Sequence, residues 1–257
     1  MKTKSAQRGV IVSFLDDLLD TKNVSDASFN GLQVQGKDTI KKVLFAVDAG
    51  FETFQKAVEL QADMIVVHHG NFWQGVNPSL VGWKKERIAL LFKHEISLYA
   101  SHLPLDKHPD VGNNAQLLEI LGCKKECAFG MYHGQSISFI GKTEQPLTVE
   151  SVVKTLQEKI NAQCKVLPFG PKEIGRIAVC SGGGADYGLL QEAIDAGVDL
   201  YLTGDSTEMY HTAKEAGINI IFAGHHATET VGVKALAEVV AERFGIETVF
   251  VDIPTGL

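Results

Sequence analysis

Histidines and acidic residues recur together in three short motifs. The motifs are His68-His69, His102 with Asp106, and His225-His226 with Glu229. Imidazole nitrogen and carboxylate oxygen suit borderline divalent ions, namely zinc, iron, manganese, cobalt or nickel, and the residues alone do not choose among them. Because no cysteine accompanies the motifs, a closed structural zinc site is disfavoured.

Each motif directly follows an apolar run of strand length. The runs are 64–67, 96–100 and 218–222, each bounded by polar residues or glycine. If the runs are parallel strands of one sheet, their carboxyl ends open on the same edge, where open α/β folds bind ligands. The placement therefore indicates one shared metal site.

The adjacent histidines His68 and His69 would point to opposite faces of a regular strand. Both can be ligands only if the strand ends there, which Gly70 favours, or if two metals are bound. The alternative is an ordinary role in a turn.

The second motif reads as a loop, because Pro104 should block immediate helix formation. Asp106 could bind metal through a carboxylate oxygen, while His102 either binds too or holds a ligand in place. Alternatively, Asp106 only caps the next turn.

The third motif opens a predicted helix. His225 and Glu229 are four residues apart, so they share a face if the helix has begun by His225. Otherwise Thr228 is the N-cap and Glu229 only favours the positive helix end. His226 could also serve in place of His225.

Weaker signals surround the motifs. The glycine-rich stretch 181–186 lies between a predicted strand and helix, and is either an anion cradle or a tight turn. Asp205 and His211 could line the same cleft, or be a cap and a surface side chain. Phe72 and Trp73 either wall the site or pack in a core or subunit interface.

Short apolar runs alternate with helical segments in two stretches, which is typical of parallel sheets flanked by helices. After a predicted helix at 6–19 and a polar loop around Asn30-Gly31, the predicted strands are 43–47, 64–68, 96–100, 135–142, 165–168, 177–180, 200–203, 218–222 and 248–251. The later predicted helices are 51–62, 80–94, 113–121, 148–161, 187–196, 208–216 and 229–244. The two stretches resemble each other, so we expect two related α/β halves with the site between them.

Composition and charge limit the classes of partner and compartment that we expect for the chain. The 257 residues suffice for two α/β domains, and a net charge of −7 without a basic run makes nucleic acid an unfavourable partner. No apolar stretch is long enough to span a membrane, and the first residues lack the apolar core of a signal peptide. We expect a soluble, cytoplasmic protein whose four cysteines are free thiols.

The three motifs together resemble the YbgI-like family, whose members are called GTP cyclohydrolase I type 2 homologues and are NGG-interacting-factor-like. The matching stretches are 66–73, 101–106 and 224–229, in the same order along the chain. The resemblance implies two α/β domains with parallel or mixed sheets, the second inserted in the first, and a toroidal homohexamer. We place the domains at 1–125 plus 225–257 and at 126–224.

The resemblance also implies a dinuclear centre of two divalent metal ions per chain. Its implied ligands are His68, His69, Asp106, His225 and Glu229. The leading hypothesis is a metal-dependent hydrolase of a nucleotide-like or pterin-like small molecule, GTP cyclohydrolase-like, with His102 or His211 as proton shuttle. The alternative is a non-catalytic metal-binding regulatory, interaction or storage protein.

Overall fold

Two large mixed sheets, each flanked by helices, organise the chain. The structure is a computed structural model and describes residues 4–257. The first unit runs up to Leu105 and resumes at Val233–Ile253, whereas the second comprises Asp106–Gly232 and Pro254–Leu257. The second unit is therefore inserted in the first, as predicted.

Strands and helices alternate along most of the chain. The strands are β1 (Ala6–Gln7), β2 (Gly31–Val34), β3 (Thr39–Ile40), β4 (Lys42–Asp48), β5 (Met64–His69), β6 (Ser97–Ala100), β7 (Cys123–Tyr132), β8 (Gln135–Leu147), β9 (Lys165–Pro168), β10 (Ile174–Cys180), β11 (Leu200–Thr203), β12 (Asn219–Phe222) and β13 (Glu247–Phe250). The helices are α1 (Arg8–Leu18), α2 (Phe51–Glu59), α3 (Trp83–Lys93), α4 (Leu103–Asp106), α5 (Asn113–Ile120), α6 (Val149–Ile160), α7 (Tyr187–Asp195), α8 (Tyr210–Ala216) and α9 (His225–Phe244).

The sheet of the first unit has the order β13-β4-β5-β6-β2. Strands β13, β4, β5 and β6 are parallel, and β2 pairs antiparallel with β6 at the edge. The central strands are buried along almost their whole length, because helices cover a parallel sheet on both faces. This burial explains their uninterrupted apolar sequences.

The register of this sheet brings the ends of three strands together. Asp48 at the end of β4 pairs with His69 at the end of β5, and Val67 of β5 pairs with Ala100 of β6. The segment after β6 therefore starts at the same edge as His69. This edge is the carboxyl end of the parallel strands, as predicted.

The sheet of the second unit has the order β7-β8-β10-β11-β12-β9, with β10, β11 and β12 parallel. Cys180, Thr203 and Phe222 are aligned at the carboxyl ends of these three strands. The parallel run β4-β5-β6 in the first unit thus corresponds to β10-β11-β12 in the second, and each run is joined by helices and has an antiparallel strand beside its third strand. The expectation of two related α/β halves is confirmed in this topology.

Several predicted element bounds were wrong. The polar loop after α1 contains strand β2, and α9 begins at His225 rather than at Glu229. Pro104 does not prevent a helix: it lies in the first turn of α4, where the missing backbone N–H costs nothing. Strand β7 was not predicted at all.

The predicted first domain boundary at 125/126 lies later than the observed one at 105/106. Helix α5 contacts β7, β8 and β10, and its Leu117 and Leu118 belong to the core beneath the second sheet. Val231 joins the same core, so the second unit extends to Gly232. Residues 1–3 of the predicted first domain lie outside the described residues.

The four cysteines are free thiols, as predicted. Burial raises the pKa of Cys123 to about 11, and burial also raises the pKa of Cys180. Within residues 4–257, every helix is too short or too polar to cross a bilayer.

Candidate metal centre

Three histidine rings meet at the carboxyl edge of the first sheet. The ring centroids of His68 and His69 are 4.6 Å apart, and the His102 ring lies 5.1 and 5.6 Å from them. One nitrogen from each ring can be chosen so that all three lie within 4.8 Å of one another. Because β5 ends at His69, the two adjacent rings do not point to opposite faces of the sheet, as they would inside a regular strand. We call these three residues the first donor set.

The Nδ1 atom of each ring in this set is held by an oxygen acceptor. His68 Nδ1 donates to the Ser101 carbonyl, His69 Nδ1 to Asp48 Oδ1 and His102 Nδ1 to Asp26 Oδ1, each at 2.9 Å. Since these oxygens accept, Nδ1 carries the proton in each neutral ring and Nε2 carries the lone pair. Metal-ligating histidines are usually oriented in this way.

Asp26 is a buried carboxylate that organises the segment after β6. Its two oxygens accept hydrogen bonds from the backbone of Ser28 and Leu103 and from the side chains of Asn30 and His102. Burial alone would raise the pKa of Asp26, but these hydrogen bonds, above all the one from His102, lower that pKa to about 2. Asp26 is therefore ionised at neutral pH and holds His102 in one orientation.

The second unit carries the other predicted ligands, which we call the second donor set: Asp106, His225 and Glu229. Since α9 has begun by His225, His225 Nε2 and Glu229 Oε1 lie on one face, 3.2 Å apart. His225 Nδ1 lies 3.0 Å from Asp205 Oδ1. Glu229 is buried, and a buried carboxylate is stable only with a charged or hydrogen-bonding partner.

Thr228 is not the N-cap of α9. It lies inside the helix, where its Oγ1 accepts the Gly182 N–H at 2.9 Å and donates to the carbonyl of Gly224, just before the helix. This contact joins the start of α9 to the glycine-rich segment. The interpretation in which Glu229 merely follows the cap is wrong.

Asp106 is held in a buried hydrogen-bond network. Its Oδ1 accepts from Asn113 Nδ2 at 2.8 Å and from Ser181 Oγ at 2.9 Å. Asn114 donates to the Asp106 carbonyl and accepts from the Ser181 N–H. The carboxylate is therefore oriented by several partners rather than capping a turn.

The glycine-rich segment 181–186 is a closely packed turn. A Cβ at Gly182, whose φ is +59°, would lie 2.0 Å from Glu229 Oε1, and a Cβ at Gly204 would lie 2.6 Å from the Gly182 carbonyl oxygen. Asp186 caps α7 by accepting from the N–H groups of Gly188 and Leu189. These contacts explain the glycines by packing and favour the tight turn over an anion cradle.

The remaining predicted residues have separate positions. His226 is buried, whereas His211 is exposed on α8 beside the Tyr210 ring, and its shuttle role stays a prediction. Trp73 lies with its ring centroid 5.0 Å from His102 and therefore walls the first donor set.

Sequence reasoning missed Asp26 and Asp48. Asp48 directly follows the predicted strand 43–47 and ends the observed β4, at the edge that carries the histidines, so its position was a usable signal. Asp26 lies 76 residues from its partner His102, and nothing local in the sequence indicates that pairing.

The first donor set can hold a divalent metal ion, and the side chains of the second set are of metal-ligating types. Imidazole nitrogens with Nδ1 held by oxygen suit zinc, iron, cobalt and nickel, and the carboxylates of the second set extend the range to manganese. The chemistry of the donors does not select one metal.

Comparison with known proteins gives consistent matches over nearly the whole chain. Residues 6–256 match the family model described as Duf34/NIF3 (NGG1p interacting factor 3). A relative from Archaeoglobus fulgidus, named GTP cyclohydrolase 1 type 2 homolog, is 47% identical across 96% of this chain and 98% of its own. One from Pyrococcus horikoshii with the same name is 46% identical across 97% and 99%. The solved structure of protein ybgI, of unknown function, superposes with a TM-score of 0.91 at 34% identity, covering 98% of this chain and all of its own.

Proposed function

Because the chain belongs to the Duf34/NIF3 family, we propose that it is a metal-dependent hydrolase of a nucleotide-like or pterin-like small molecule. The observation that carries the metal part of the proposal is the first donor set, with three imidazoles whose Nδ1 atoms are all held by oxygen. The substrate class rests on the names of the relatives.

The proposed centre uses two divalent ions per chain. The proposed ligands are His68, His69, Asp106, His225 and Glu229. In the first unit, His102 supplies a further nitrogen or carries a proton. His211 is the second candidate for the proton carrier.

Hydrolytic opening of a guanine ring at C8 needs an activated water and a proton carrier. A bound divalent ion supplies Lewis acidity, which makes water nucleophilic at neutral pH. The chain's own part is to fix the imidazoles: Asp48 and Asp26 hold two rings by their Nδ1 atoms, which also keeps Nε2 basic. Glu229, buried beside His225, offers a carboxylate oxygen as a ligand.

The test is turnover of a nucleotide panel that includes GTP by protein loaded in turn with zinc, iron, manganese, cobalt and nickel. We expect metal-dependent hydrolysis by the wild type and a loss of at least about 100-fold in Glu229→Gln, because a ligand and its charge are removed. Glu238→Gln is the matched control, since Glu238 is exposed on the same helix. Equal rates for Glu229→Gln and the wild type would contradict the assigned ligand.

Metal binding without turnover of any nucleotide would instead support the alternative, a non-catalytic metal-binding regulatory or storage protein. Thermal unfolding separates the two functions: an enzyme is stabilised further by nucleotide once metal is bound, whereas a binding module is stabilised by metal alone.

We also propose that the chain assembles into a homohexamer, on the basis of the family resemblance. Light scattering should then give six times the chain mass of 27.9 kDa. A monomeric or dimeric mass would contradict the hexamer without bearing on the metal ligands.

A further inference from the structure

A cavity of about 170 Å³ lies in the first unit, beside the first donor set. It is formed by the segment 71–80 together with the first turns of α3 and with Phe29. An apolar cavity of about 150 Å³ is known to admit one aromatic ring. The volume is therefore large enough for one aromatic ring.

Aromatic side chains dominate the walls of the cavity. They include Phe29, Phe72, Trp73 and Trp83, and the last two are the chain's two tryptophans. The Trp83 ring is 65% exposed, and the Arg87 guanidinium lies over it at 5.0 Å. Exposed flat rings of this kind are stacking surfaces for planar heteroaromatic ligands.

Asn71 and Arg87 are polar side chains that line the cavity. Arg87 Nη1 donates to Asn71 Oδ1 at 2.9 Å, which fixes the two side chains against each other. Arg87 Nε and Asn71 Nδ2 are buried, and neither has a hydrogen-bond partner among residues 4–257. Burying a donor without a partner is unfavourable, because its hydrogen bond to water is lost and not replaced. Both side chains line the cavity, so they are the candidate donors to the acceptor atoms of a bound ligand.

The cavity shares a wall with the first donor set. The Trp73 ring centroid lies 5.0 Å from that of His102 and 6.1 Å from that of His69. A ring stacked in the cavity is thus separated from the imidazoles by the thickness of one side chain.

We propose that this cavity binds the planar ring of the substrate, and that an oxo group on the ring accepts hydrogen bonds from Arg87 and Asn71. The proposal rests on the proposed function for the identity of the substrate, because the shared chemistry of a 6-oxopurine and a pterin is a flat heteroaromatic ring with an oxo group. Arginine pairs well with the oxo and neighbouring nitrogen acceptors of such rings.

The test compares inosine with adenosine, which differ at the ring position that bears an oxo or an amino group. Both carry the same ribose and neither has a phosphate, so the difference between their affinities reports the ring alone. We expect inosine to quench tryptophan fluorescence, with or without metal, and to bind at least about tenfold more tightly than adenosine by calorimetry. Pterin is the third ligand, and its affinity relative to inosine tells which of the two ring sources the cavity prefers.

Two variants test the separate roles of stacking and hydrogen bonding. Trp83→Ala should lower the affinity for both nucleosides about tenfold, because a stacking surface is lost. Arg87→Ala should weaken the binding of inosine, so that inosine and adenosine bind with the same affinity. Phe92→Ala and Lys85→Ala are the matched controls, since both side chains are exposed on α3 and outside the cavity. Both controls should bind inosine as the wild type does.

The outcomes separate this proposal from the proposed function. Inosine and pterin binding that depends on Trp83 and Arg87, in a protein that hydrolyses nothing, would support the ring site and contradict the hydrolase. Turnover of nucleotides with no quenching by any ring would overturn the ring site and leave the hydrolase standing. Equal affinities for inosine and adenosine would overturn the oxo selection. A change of oligomer mass in Trp83→Ala without ring binding would overturn the ring site and assign the surface to contact between copies.

Discussion

A histidine is a good metal ligand when its other ring nitrogen is fixed. Asp48 holds His69 in this way, through a 2.9 Å hydrogen bond to Nδ1. Asp48→Asn keeps the shape of the side chain but removes the charge that favours this hydrogen bond. We expect metal affinity to fall about 10- to 100-fold, measured by competition with a chelator, while the fold is retained.

The control for this substitution is Asp38→Asn. Asp38 is 75% exposed in a surface ion pair with Arg8, so its charge contributes little to stability. The metal affinity of Asp38→Asn should equal that of the wild type. If Asp48→Asn also bound metal as tightly as the wild type, the orientation of His69 by Asp48 would be irrelevant to binding.

Among the elements, the buried parallel strands were the most predictable. Strands β5 and β12 are covered on both faces, so their sequences are continuous apolar runs of strand length. Strand β2 was missed because it is a four-residue edge strand with partly polar sequence, and its partner β6 lies far along the chain. When the partner strand is far along the chain, the sequence of a short strand does not by itself indicate the pairing.

The residues of the candidate site were predictable for the same reason as the strands, and only where the signal is local in the sequence. The histidine motifs could be found because each directly follows a predictable strand, and the i, i+4 spacing of His225 and Glu229 was readable once a helix was assumed. Their orienting partners could not be found in the same way. Asp26 and the Asp106 network with Ser181 depend on contacts between residues more than 70 positions apart.

The turn between β10 and α7 depends on the absence of a side chain at Gly182. Gly182→Ala would place a Cβ in the left-handed region and against Glu229 Oε1, so that side chain or the turn must move. We expect a loss of about 2 kcal/mol or more in the free energy of unfolding, together with weaker metal binding. Denaturant unfolding and a metal titration measure the two effects.

Gly183→Ala is the neighbouring control. A Cβ there meets its nearest atom at 3.7 Å, an ordinary van der Waals contact, and its φ does not lie in the left-handed region. Its unfolding free energy should lie within about 0.5 kcal/mol of the wild type. Equal losses in both variants would mean that the approach of Gly182 to Glu229 has no special role.

In the whole molecule, the same arrangement of strands is used twice to present polar residues at the carboxyl ends of parallel strands. The first unit places three oriented imidazoles there, and the second places Asp106, His225 and Glu229. Nearly the full length of the chain matches the Duf34/NIF3 family model, and both donor sets lie within the matched residues. We propose that these side chains bind divalent metal.

Elemental analysis of the purified protein, before and after reloading with divalent metal and removal of the excess, tests that claim most directly. We expect about two ions per chain after reloading, and a marked loss in His69→Ala but none in His94→Ala, which changes an exposed histidine of the same unit. The absence of bound metal after reloading, or equal occupancy in both variants, would contradict the claim.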